Sequence, residues 1–179
     1  MRARVALFSL LLSSLTSATV AEPLGIISEV RFGVLVHDVP FIAADTIEGG
    51  VDLNAEILFT PLGIVPDNWN FRPHVGIQVN TTDDTSQAYL GLTTTHYLTD
   101  NIWGAFSGGG TIHNGETSQF GEDRKAFGSQ VLFRLALELG VDINDHASVS
   151  LYYDHESNAF LADENPGIDN MGVRVGWRF

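Results

Sequence analysis

The sequence predicts an all-β fold, an eight-stranded antiparallel transmembrane β-barrel. Three observations carry this. Apolar and polar residues alternate with period two in eight runs spread almost from end to end. Beyond the N-terminal segment no apolar stretch is long enough for a membrane helix, and no helical-period segment of useful length interrupts the runs. The last run closes on Trp177-Arg178-Phe179, with both aromatics on its apolar face.

The chain of 179 residues opens MRARVALFSLLLSSLTSATVAEP. Two arginines precede an apolar run broken by serines, and small residues end it. This is the pattern of a secretory signal peptide over residues 1–21, cut after Ala21, with Ala18 as the second choice. The remaining 22–179 form one domain. Losing Arg2 and Arg4 leaves seven basic against 22 acidic residues, a formal charge of −15. So acidic a chain is a poor partner for nucleic acid. There is no cysteine, which excludes disulfide, zinc-thiolate and thiol chemistry. An exported protein without cysteine fits a bacterial envelope, and in a membrane such a chain must be a barrel.

The runs follow in order. Near 28–37, Val30, Phe32, Val34 and Val36 share a face opposite Glu29, Arg31, Gly33 and His37. Near 50–60, Val51, Leu53, Ala55, Ile57 and Phe59 oppose Asp52, Asn54, Glu56 and Thr60. Near 70–80, Phe71, Val75, Ile77 and Val79 oppose Arg72, His74, Gly76, Gln78 and Asn80. A fourth run covers about 87–98, and a fifth, IWGAFSGGGTIH at 102–113, alternates poorly. The sixth, about 126–139, sets Phe127, Val131, Phe133, Leu135 and Leu137 against Gly128, Gln130, Arg134 and Glu138. The seventh, 147–157, sets Ala147, Val149, Leu151 and Tyr153 against Ser148, Ser150, Tyr152 and Asp154. The eighth, 170–179, sets Met171, Val173, Val175, Trp177 and Phe179 against Arg174, Gly176 and Arg178. Strands of about ten residues cross a bilayer at a tilt, and eight of them close without edges.

Alternation alone does not tell inside from outside. A lipocalin-like soluble barrel would bury the apolar face. The polar face here carries Glu56, Arg72, Arg134, Glu138 and Arg174 with Gly33, Gly76, Gly91, Gly128 and Gly176. Small residues and opposite charges suit a cramped polar lumen, with the apolar face in lipid. The terminal aromatic resembles the assembly signal of bacterial outer-membrane barrels. Connections near 38–49, 80–87, 114–125 and 158–169 are mostly long and polar. Those near 62–69, 99–101 and 140–146 are shorter on average, as in barrels with long outside loops and short periplasmic turns. The bacterial outer membrane is the expected location.

In that arrangement strand seven runs outward and strand eight returns. His155 and Ser157 continue the lipid-facing column Val149, Leu151, Tyr153, and Asp169 heads the column Met171, Val173, Val175. Residues two apart on one strand face lie roughly 6.5–7 Å apart at Cα. A charge on the lipid face costs about 0–1 kcal/mol only near the interface. A nucleophile, a base and an orienting acid therefore share one outward face at headgroup level. Asn158, Asn165, Pro166 and Gly167 are also ordinary turn residues.

The stretch HESNAFLADENPGIDNMGVRVGWRF resembles the C-terminal hallmark of the lipid A 3-O-deacylase (PagL-type) family of outer-membrane barrels: His-x-Ser-Asn, an Asn-x-Gly turn, an acid, and a last strand ending in an aromatic. The resemblance implies ester hydrolysis on lipid A, the anchor of lipopolysaccharide. His155 matches the family's catalytic histidine, Ser157 its nucleophile and Asp169 its acid. Better-known members carry Glu there, one methylene longer. Asn158 and Asn165 match asparagines near the family's site, and Asn158 is a candidate oxyanion donor through its side chain or backbone N–H. The chemistry calls for no cofactor or metal. The partners implied are lipopolysaccharide and outer-membrane lipids, and a homodimer is left open.

Other features rank lower. His113, at the outer end of the fifth run, reads first as a loop histidine. Asp83-Asp84 and Glu122-Asp123 read as solvated loop acids before they read as sites for cations bridging lipopolysaccharide phosphates. The rival functions are a non-catalytic barrel, structural or adhesive, and an acyltransferase acting on lipid A.

Overall fold

The computed structural model describes residues 25–43, 46–63, 71–118 and 124–179. The signal segment and its expected cut after Ala21 lie outside these, as do Glu122 and Asp123. Eight strands follow one another: β1 (Ile27–Val36), β2 (Val51–Phe59), β3 (Phe71–Asn80), β4 (Gln87–Tyr97), β5 (Ile102–His113), β6 (Val131–Asp142), β7 (Ala147–Ser157) and β8 (Ile168–Arg178). Each pairs antiparallel with its neighbours, and β8 returns to β1 to close the barrel. The closing register runs from Glu29 opposite Arg178 to Val36 opposite Met171. No edge is left, so each strand is paired with a neighbour on both sides.

The apolar face looks outward. Leu90 is 66% exposed and Leu151 62%, and Phe32, Leu53, Ile77, Phe133, Leu137 and Val173 are exposed with them. This decides between the membrane barrel and the lipocalin-like alternative, because only lipid satisfies such a belt.

The lumen is filled by charge. Arg31 meets Glu29 at 2.7 Å and Glu138 at 2.6 Å, Arg72 meets Glu29 at 2.6 Å, and Arg174 meets Glu56 at 2.8 Å. Arg134 meets Asp154 at 3.1 Å and Glu156 at 3.3 Å, and its guanidinium lies 3.7 Å from the Tyr89 ring centroid. Glycines make room for the aromatics among these charges. A Cβ on Gly76 would lie 2.3 Å from the Tyr89 ring, and one on Gly140 would lie 2.2 Å from Trp103. At the end where β1 begins and β8 finishes, Asp142 accepts from Trp103 Nε1 at 2.7 Å and pairs with Arg178 at 2.5 Å.

The fifth strand, weakest in pattern, occupies the residues expected of it. The sixth does not. It begins at Val131, so Phe127 and Gly128 leave the wall. Phe127, expected on the lipid face, is 1% exposed and stacks edge-on to His113 at 4.7 Å. Gly128 has φ +69°, a turn conformation rather than a strand one. The connections at the end opposite the start of β1 are loop 1 (residues 37–50), loop 2 (81–86), loop 3 (114–130) and loop 4 (158–167).

Replacing Arg134 by Met leaves Asp154 and Glu156 buried without their counter-charge. The expected cost is about 3–5 kcal/mol, read as a lowered urea midpoint for the detergent-folded barrel by tryptophan fluorescence.

Candidate active site

The site grows from the β7–β8 hairpin at the loop end. The register sets His155 directly across from Asp169, and Ser157 opposite Phe133 of β6. Directly opposed residues have Cβ atoms about 4.5–5.5 Å apart, within side-chain reach. His155 Nδ1 lies 2.6 Å from Asp169 Oδ1. With the carboxylate ionised, that bond needs the proton on Nδ1 and leaves Nε2 as the acceptor. Ser157 stands two residues further along the same face, half-buried. No hydrogen bond joins its hydroxyl to His155, so the structure brings two of the three residues into bonded contact and the third onto the same face.

Asp169 is not bare on the lipid face. It is fully buried under loop 1. Its Oδ2 accepts the backbone N–H of Ala43 at 2.7 Å and that of Ile42. Its Oδ1 also accepts the Tyr153 hydroxyl at 2.9 Å. The Val39 N–H donates to the Asp169 carbonyl at 2.8 Å. Four donors on the side chain offset the desolvation of an ion at the membrane edge. Nothing in the alternation of β1 or β8 signals that loop 1 would supply two of them.

Loop 4 is built around Asn158, which is 2% exposed. Its backbone N–H donates to Asn165 Oδ1 at 2.9 Å, and its Nδ2 donates to the carbonyls of Phe127 at 2.8 Å and Glu164 at 2.5 Å. These bonds commit the donors expected for an oxyanion and give Asn158 a role in shaping the turn. Asn165 lends only its Oδ1, and its amide N–H groups make no hydrogen bond within the described structure. Gly128 lets loop 3 close on this turn, since a Cβ there would lie 2.3 Å from the Glu164 carbonyl. Gly167, φ +65°, abuts the imidazole: its Cβ would lie 3.1 Å from His155 Cε1.

His113 points into the barrel mouth, not toward the hairpin's outer face. It is 7% exposed, and its Nε2 donates to the Ser129 carbonyl at 2.8 Å. Asp84 is structural, accepting the Gly49 N–H at 2.9 Å.

Loop 1 is itself tied down by charge. His37 bridges Asp52 at 2.8 Å and Glu48 at 3.1 Å. Burial alone would push the imidazole down, but hydrogen bonds to the two carboxylates outweigh it and raise it to about 9. Burial would raise Glu48, yet His37 and the amides of Thr85 and Lys125 hold it down to about 2. A cation whose folded value is raised adds stability below its ordinary value. The His37 contribution is therefore full below about pH 6.5 and is lost as pH rises through about 9. We expect the urea midpoint to fall across that interval, and His37→Gln to remove this part of the slope.

The family model for lipid A 3-O-deacylase (PagL) matches residues 100–178, which span β5 to β8 and the whole hairpin. No curated protein matches the chain. Among solved structures, the outer-membrane enzyme PagL superposes with TM-score 0.63 at 14% identity, covering 85% of this chain and all of that one. A de novo designed transmembrane β-barrel gives 0.53 at 8% identity over 89% of this chain and 98% of that one. A second designed barrel, TMB2.3, gives 0.50 at 8% identity over 88% and 98%. The resemblance drawn from the C-terminal hallmark is thus met by a family match that covers it to residue 178. The chain is an eight-stranded barrel of the bacterial outer membrane.

Proposed function

We propose that this outer-membrane barrel, matched over its C-terminal strands by the lipid A 3-O-deacylase family, is a serine esterase that removes the 3-O-linked acyl chain of lipid A. The observation that carries the reading is the 2.6 Å bond from His155 Nδ1 to Asp169, on the outer face and in one column with Ser157. His155 Nε2 takes the Ser157 hydroxyl proton as Oγ attacks the ester carbonyl. Asp169 fixes the imidazole tautomer and stabilises the imidazolium. The tetrahedral intermediate collapses, the bond from the carbonyl carbon to the sugar oxygen breaks, and His155 returns the proton to that oxygen. Water, deprotonated by the same nitrogen, then attacks the acyl carbon, the bond to Ser157 Oγ breaks, His155 passes the proton to Oγ, and the fatty acid leaves. Asn165, with its amide N–H groups uncommitted, is the side chain we assign to the oxyanion.

The lumen supports hydrolysis over acyl transfer. A transferase must house a second acyl chain, and the interior is occupied by the ion pairs of Arg31, Arg134 and Arg174. A site on the outer wall receives a lipid laterally without drawing it from the bilayer.

Mass spectrometry of lipid A incubated with the refolded protein is expected to show loss of one hydroxyacyl chain. Ser157→Ala is expected to abolish the loss, and Asn165→Ala to slow it by about 10²–10³. Unchanged lipid A with a folded wild-type barrel would favour a structural or adhesive role. A gain of an acyl chain from added phospholipid would favour a transferase.

A further inference from the structure

The hairpin hydrogen bonds account for His155 and Asp169, but not for the fate of loop 1. This loop lays two backbone N–H groups on Asp169 and also carries Phe41, whose ring meets Tyr153 edge-on at 5.2 Å. Tyr153 in turn donates its hydroxyl to the Asp169 oxygen that accepts from His155. The loop is held there by a buried pair with no part in the chemistry above. Lys125 of loop 3 has a fully buried side chain, and its Nζ meets Asp38 Oδ1 at 2.5 Å and the Gly167 carbonyl at 2.9 Å. Asp38 closes the loop on itself, its Oδ2 accepting the N–H groups of Ile47 at 2.9 Å and Glu48 at 3.1 Å. Gly167 lies two residues before Asp169 and against His155. One ammonium thus fastens loop 1 and the end of loop 4 at the point where the acid enters β8.

We propose that loop 1 is a working part of the site, with Lys125 and Tyr153 as positioning residues for the His155–Asp169 pair. Lys125 clasps the loop through Asp38 and Gly167, the loop delivers the Ile42 and Ala43 amides, and Tyr153 fixes the oxygen that His155 uses. An unclasped loop would leave Asp169 short of donors, free to rotate, and open to water. This rests on the esterase reading for its kinetic consequence, but its geometric consequence stands apart.

Three variants test it. Tyr153→Phe keeps the ring and removes one donor. Lys125→Met removes the clasp but strands the Asp38 carboxylate, so Asp38→Asn with Lys125→Met removes the clasp without a stranded charge. Folding of each is checked by the heat-dependent gel mobility of the barrel. Two quantities are read: kcat and KM for lipid A deacylation, and the downfield proton resonance of the hydrogen-bonded His155 imidazole in micelles. Tyr153→Phe is expected to lower kcat about tenfold or more, the rate equivalent of one hydrogen bond to a charged group. KM should stay within about twofold, because a positioning group acts on the transition state. The double variant should fold, lower kcat at least as far, and broaden or shift the imidazole proton. Folded variants with wild-type kcat and an unmoved resonance would overturn the proposal. A resonance that moves as expected in a protein whose wild type leaves lipid A intact would uphold the clasp and reject the esterase.

Discussion

A carboxylate ionised at the edge of a lipid-facing wall is the constraint around which the loop end is arranged. Alone on that surface, Asp169 would take up a proton or turn away, and His155 would lose its orientation. The structure instead surrounds it with His155, Tyr153 and two amides of loop 1. To bring those amides there, loop 1 must fold back over the hairpin. That requires the internal bonds of Asp38 and the anchoring of Glu48 and His37 against the barrel mouth. The acid, the loop and the mouth are one connected polar structure.

The lumen supplies the stiffness that this structure stands on. Its arginines and carboxylates cross from strand to strand, as Arg31 does from β1 to Glu138 of β6 and Arg174 from β8 to Glu56 of β2. Removing one partner strands a buried charge, so each pair ties its two strands together, and breaking it costs about 3–5 kcal/mol. Asp154 and Glu156 flank His155 on its own strand and face inward to Arg134. The strand that presents the imidazole outward is thereby held from within, and the alternation of β7 assigns consecutive residues to separate tasks.

The barrel was legible because period-two alternation is a direct consequence of a wall with lipid on one side and charge on the other. Even β5, where Gly108 to Gly110 blur the pattern, pairs along its whole length with β4 and β6. The error came at the start of β6. Phe127 fits an apolar column by parity, and parity carries no information about where a strand begins. Its ring is claimed by His113 and its carbonyl by Asn158, contacts between loop ends that no local pattern encodes. The common face of His155, Ser157 and Asp169 was legible for a similar reason, through spacing and parity. Hidden from the sequence were the backbone donors of loop 1 and the buried Lys125, because amides carry no residue signature and a loop lysine reads as solvated.

The register suits a short acid at residue 169. His155 and Asp169 are directly opposed, so their Cβ atoms are about 4.5–5.5 Å apart. The imidazole reaches Nδ1 two bonds beyond its Cβ, and Asp reaches its oxygens in two bonds as well, which spans the gap in a 2.6 Å hydrogen bond. A Glu at this position would carry its carboxylate one carbon further out, toward the Ile42 and Ala43 amides that already meet Asp169. Asp169 is therefore matched to a loop that comes close. The short acid and the close loop act together: the short side chain keeps the negative charge at the wall, and loop 1 covers it there.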